Sequence, residues 1–215
     1  MAVAGDKKLR VFNEALRILG SRAISSLTEG RESQRVLTEL WGANDEAVVA
    51  CLERGEWNFA IRSAQVDYDS DIVPSFGFRR AFQKPADFCR LATLCSDEYF
   101  NYPLNARQFS DESGYWLTDL DVLYVRFVSC DSDYGLNSGN WTESFSKYLA
   151  AYLAYECCER ITASTQKEQV AGYRMEQALR GAQSLDGMNE GTKIPPSGRW
   201  AQSRGQTSGR GSGLR

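Results

Sequence analysis

The 215-residue sequence contains no histidine. That single absence removes the Ser-His-Asp and Cys-His arrangements, because both need an imidazole to carry the nucleophile's proton. No phosphate loop of the G-x-x-x-x-G-K type occurs, and no dinucleotide fingerprint. No run of eighteen apolar residues exists, which excludes a membrane-spanning helix of the usual length. The opening "MAVAGDKKLRVFNEALRILG" places charges where an export signal needs an apolar centre, so no cleaved leader is expected.

What is present suits a folded protein. Hydrophobic residues make up 42% and aromatic residues 12%, enough to build a sizeable core. Six cysteines stand at positions 51, 89, 95, 130, 157 and 158 without regular spacing. Without an export signal they read as reduced, mostly buried thiols rather than a disulfide framework. The net charge of −3 is unevenly spread. From Asn189 onward, Lys193, Arg199, Arg204, Arg210 and Arg215 face a single acid, Glu190, giving +4 and leaving −7 on the rest. A basic tail on an acidic body predicts a tail that seeks an acidic partner.

Periodicity predicts an α+β fold. Asp6 is placed to cap a first helix ending near Gly20, with Phe12, Leu16 and Leu19 on one side. After the turn-rich "SRAISSLTEG", a second helix is expected from about Arg31 to Arg54, mildly weakened by Gly42 and stopped by Gly55. From Trp57 the pattern alternates. "WNFAIRSAQVDY", "SFGFRRAF", "DFCRLATLC", "EYFNYPLN", "RQFSDESGYWLTD" and "DVLYVRFVS" read as short strands of an antiparallel sheet or small sandwich. "VLYVRFV", apolar on both alternations except Arg126, is the expected central strand.

Helix returns at Asn140, a possible cap with Glu143 three residues on. An apolar stripe follows from Phe145 through Tyr148, Leu149, Tyr152, Leu153 and Cys157 to Ile161. Thr165 and Glu168 suggest a second capping box, opening a helix to about Gln183. The expected organisation is a helical bundle made from the N-terminal pair (1–56) and the C-terminal pair (140–188). An antiparallel β block (57–139) is inserted between them, and an extended Gly/Ser/Arg-rich arm (189–215) follows.

Candidate chemistry is thin. Cys157 and Cys158 are adjacent rather than spaced as paired zinc ligands, and Cys157 lies on the apolar face as a packed thiol would. Two acidic stretches resemble calcium loops, Asp67, Asp69 and Asp71, then Asp131, Asp133 and Asn137. The second carries Leu136 where Gly is needed and Thr142 where Glu is needed, so both read as solvated turns. No catalytic, cofactor or metal residue is therefore assigned. Two features stand out instead. Trp57 and Phe59 mark the corner where helix gives way to strand. In the arm, Pro195 and Pro196 stiffen an extended exit, and Trp200 between Arg199 and Arg204 has the make-up of an aromatic anchor for a partner's pocket.

Five phrases together resemble the tail tubular protein A family, the head-to-tail adaptors of short-tailed bacteriophages. They are "FNEALRILGSRAISSLTEG", "WNFAIRSA", "KPADFCRL", "FSKYLAAYLAYECCERIT" and "PPSGRWAQSR", in that order over nearly the whole chain. The strand block and the Gly-Arg end depart from the pattern. The resemblance implies a dodecameric ring in the virion neck, assembled in the host cytoplasm, joining the portal to the tail nozzle. DNA would pass through without sequence-specific binding, and there would be no active site, cofactor or membrane contact. Pro195, Pro196, Arg199, Trp200 and Arg204 would then face the portal. Two other classes stay open: a nucleic-acid-binding protein acting through the basic tail, and a carboxylate-only hydrolase with converging acids.

Overall fold

Helix α4 (Glu143–Thr162) explains the arrangement of everything else in the bundle. Phe145, Tyr148, Leu149, Ala150, Ala151, Leu153, Ala154, Cys157 and Cys158 are all buried, which takes in most of its circumference. A helix apolar on nearly every side belongs inside, and others must cover it. The computed structural model describes residues 4–189, and the expected arm lies outside that span except for Asn189, which ends a helix instead. Helix α1 (Ala4–Leu19) lays Val11, Phe12, Ala15, Leu16 and Leu19 against α4. Helix α2 (Glu32–Trp41) adds Val36, Leu37 and Trp41; α3 (Glu46–Leu52) adds Ala47, Val48, Cys51 and Leu52. Helix α5 (Thr165–Asn189) packs along α4 by a thin stripe of Ala171, Met175, Ala178, Leu179 and Ala182. Each large side chain fully removed from water contributes about 1.5–3 kcal/mol.

Between α3 and α4 lie six strands: β1 (Ile61–Asp67), β2 (Arg80–Gln83), β3 (Phe88–Cys95), β4 (Phe109–Glu112), β5 (Tyr115–Thr118) and β6 (Val122–Ser129). They form two three-stranded antiparallel sheets, β1-β6-β3 and β2-β5-β4. As expected, the "VLYVRFV" strand is central in its sheet. Leu123, Val125 and Phe127 of β6 meet Phe82 and Trp116 of the second sheet in one small core, so the sheets form a sandwich. Val128, at the end of β6, belongs to the bundle core instead. The register places Ile61 opposite Val128 and Asp67 opposite Val122, while Phe88 pairs with Ser129 and Cys95 with Tyr124. The starts of β1 and β3 therefore sit on the bundle. Their far ends, with loops 68–79, 96–108 and 119–121, gather at the opposite edge.

The α+β organisation agrees with expectation, but several boundaries do not. The single helix from Arg31 to Arg54 is two. Gly42 sits at φ 79, a left-handed conformation open to glycine, and Asp45 follows at φ 55. The break lets the Trp41 indole N–H donate to the Asp45 carboxylate. Asp6 lies inside the first turn of α1 rather than at its cap, where its charge still favours the helix dipole. The cap of α4 is Thr142, not Asn140: its Oγ1 accepts from the Phe145 N–H at 3.2 Å. Residues 140–141 are spent seating Trp141, whose indole donates to the Gly135 carbonyl at 2.8 Å. Thr165 is the first residue of α5; the Ser164 carbonyl accepts from the Glu168 N–H at 3.1 Å, so Ser164 holds the cap position. Helix α5 also runs six residues past Gln183. Finally, "EYFNYPLN" is not a strand. The Asp97 carboxylate accepts from the Asn101 and Tyr102 N–H groups at 3.1 and 2.9 Å and curls the chain, leaving one bridge from Cys95 to Pro103.

Candidate functional site

The expected corner is a joint between the two cores. Helix α3 hands over to β1 through one 3-10 turn, Asn58–Ala60. Trp57 is buried at its entrance, and its indole N–H donates to the Cys51 carbonyl at 3.1 Å. Its ring meets Phe145 edge-on at 5.0 Å, and Phe59, half-buried, meets Phe145 at 4.9 Å. Gly55 has to be glycine: a Cβ there would stand 2.8 Å from the Trp57 ring.

Residues that sequence reasoning missed lock this joint from outside. Asn58 donates its backbone N–H to the Asp186 carboxylate at 2.9 Å and its side-chain amide to the Asp186 carbonyl at 2.8 Å. Gln183 donates to the Arg54 carbonyl at 2.7 Å, and Arg90 of β3 donates to the Glu53 carbonyl at 2.9 Å. The carbonyls of Glu53 and Arg54, just past the end of α3, are thus met by the sheet and by α5. A cavity of about 260 Å³ lies beside these groups, with Glu56 and Arg90 at its wall. A helix ending at Gln183 would have left Asp186 past its end. No local signal marks a pairing 128 residues apart in sequence.

A second polar cluster fastens the sheet. Asp87 accepts from Arg62 at 2.8 Å and from the Ser129 hydroxyl, while Ser129 Oγ accepts from the Asp131 N–H at 3.1 Å. Burial opposes ionisation of Asp87. The Ser129 hydroxyl and the Arg62 guanidinium outweigh it and hold the carboxyl below its ordinary value. Ser129 is fully buried, so its hydroxyl serves the joint and meets no solvent.

All six cysteines are free thiols, four of them buried. Burial pushes Cys51, Cys89 and Cys157 up to about 12, far from a reactive thiolate. The two calcium-like loops are Asx turns: Asp69 accepts from the Asp71 N–H and Asp131 from the Asp133 N–H, both at 2.9 Å. Among the described residues, no three His, Cys, Asp or Glu side chains converge as metal ligands. Asp67 is not in a turn as expected but ends β1 opposite Val122, while Asn137 caps a turn by accepting from the Gly139 N–H at 2.9 Å.

The proposed anchor residues Pro195, Pro196, Arg199, Trp200 and Arg204 lie outside the described residues. Two surfaces went unnoticed in the sequence. The far loops of the strand block expose Val73, Phe76, Tyr99 and Tyr102, with Phe76 at 89%. The outward face of α5 exposes Val170, Tyr173, Leu185 and Met188. Exposed apolar groups gathered in this way mark contact surfaces. No family model matches this chain, and no curated protein matches it significantly.

Proposed function

We propose that this chain is a structural subunit of a short-tailed phage virion, an adaptor that forms a ring between the portal and the tail nozzle. The observation that carries the reading is the ordered series of five phrases resembling the tail tubular protein A family. Their placement supports it. "WNFAIRSA" spans the joint, and Asn58 within it clamps α5, the helix after which "PPSGRWAQSR" follows. An adaptor needs a rigid body from which contact segments project. The joint supplies rigidity, and the far loops and the α5 face supply surface for neighbours. The body outside the tail carries −7, which suits a conduit, since a negative wall does not hold phosphates as a basic one does. In this reading the segment with Pro195, Pro196, Arg199, Trp200 and Arg204 docks on the portal, and the chain performs no catalysis.

The test is the mass of the purified full chain, alone and mixed with a portal protein of a short-tailed phage. A ring of discrete mass in either condition is expected, and a chain that stays single in both overturns the reading. The alternative, nucleic-acid binding through the tail, rests on the five cations after Asn189. It predicts salt-dependent DNA affinity that disappears when Gly205–Arg215 is deleted.

A further inference from the structure

A groove of about 540 Å³ opens where the end of α1 meets the start of α5. Ile18, Leu19 and Val170 give it an apolar wall, and Arg17, Lys167 and Arg174 give it three cations. Among the described residues its lining includes no carboxylate. Two of the cations are partly engaged, Arg17 with Glu14 at 2.8 Å and Lys167 with the Leu19 carbonyl at 2.9 Å. Arg174 makes no ion pair among the described residues. This is a basic, apolar-walled surface on a body that is otherwise acidic.

The complementary element is on the same chain. The loop Asp97–Tyr102 carries two carboxylates and two exposed tyrosines, Tyr99 at 76% and Tyr102 at 70%. It holds its shape before meeting anything, because the Asp97 carboxylate ties down the Asn101 and Tyr102 N–H groups. Phe100 stands at φ 57, under the Arg126 guanidinium at 4.7 Å, which leaves Glu98, Tyr99 and Tyr102 turned outward. A preformed loop spends little conformational entropy on docking.

Loop and groove stand apart within one molecule. Helix α5 runs from the groove, at its first turns, to the joint at Asp186, a rise of about 30 Å at 1.5 Å per residue. Strand β3 runs from the joint outward to the loop. We infer that the Asp97–Tyr102 loop of one copy seats in the α1–α5 groove of the next, with Tyr99 on the apolar wall and Glu98 facing Arg174. This contact joins two different surfaces, so it repeats head to tail and closes into a ring when the rotation allows. It rests on the ring reading and names the surfaces that would build the ring. The tail of a neighbour is the poorer occupant, since its cations would meet cations.

Four full-length proteins test it, with circular dichroism checking their folding, under whichever condition gives the wild-type ring. The loop variant E98A/Y99S and the groove variant V170D/R174E should each fall from ring mass to the mass of one chain. Mixed in equal amounts they should give a two-chain species and nothing larger, because one intact loop meets one intact groove. The swapped variant E98K/R174E should recover the ring. Single variants that keep the full ring overturn the inference and leave the ring reading standing. Variants that lose the ring but form no two-chain species on mixing also overturn it. A wild-type chain that never assembles overturns both.

Discussion

The helical bundle and the strand block are built from similar residues but use them differently. In the bundle α1 to α4 turn their large apolar side chains inward, around a helix covered on most sides, and among the described residues the exposed ones lie on one face of α5. In the block six buried residues form the core, while Val73, Phe76, Tyr99 and Tyr102 are left on the surface. Tryptophan shows the same contrast at atomic scale. Trp41, Trp57 and Trp141 each donate their indole N–H to a partner. Trp116, buried between the sheets, has none. A buried donor without an acceptor costs about 1–3 kcal/mol. The Tyr148 hydroxyl, buried in the bundle core, also lacks a hydrogen-bond partner, so the contrast holds between the tryptophans and not between the two cores as wholes.

The contrast can be broken at the joint first. Trp57→Ala should destabilise the protein by about 3–5 kcal/mol, since it empties a fully buried aromatic site and strips the Cys51 carbonyl of its donor. Denaturant unfolding measures this, and a variant that unfolds like the parent would mean the two cores are not coupled through Trp57. Trp141→Phe should cost about 1–2 kcal/mol by leaving the Gly135 carbonyl unpaired.

A smaller effect is expected at Asp87, which fastens the sheet. Its carboxyl is held below its ordinary value, so the unfolded chain takes up the proton more readily than the folded one. The contribution is complete above the ordinary aspartate value of about 3.9 and fades as pH falls through the lower folded value. Asp87→Asn should lower stability near neutrality and flatten the loss seen below about pH 4. Parallel acid-unfolding curves for variant and parent would remove Asp87 from the account. The smallest change should come from Trp116→Phe, within about 0.5 kcal/mol, because the lost packing is offset by removal of an unpaired donor. A loss there as large as at Trp141 would show that the Trp116 indole is as well satisfied as that of Trp141.

Much of this was legible in the chain itself. The spacing of Phe12, Leu16 and Leu19 marks a helix with one buried side, and the unbroken stripe from Phe145 to Ile161 marks α4 as central. "VLYVRFV" announces a strand covered on both edges, and Trp57 announces a corner. These follow from local periodicity, which acts between residues a few positions apart. The break at Gly42, the cap at Thr142 and the curled Asp97–Tyr102 loop were decided otherwise. In each, the fold takes the conformation that seats a tryptophan or satisfies a backbone N–H. The clamp of Asn58 on Asp186 and the gathering of the far loops at one edge depend on strand register and helix packing between distant segments. No periodicity records such contacts, because their strength comes from groups that only the folded chain brings together.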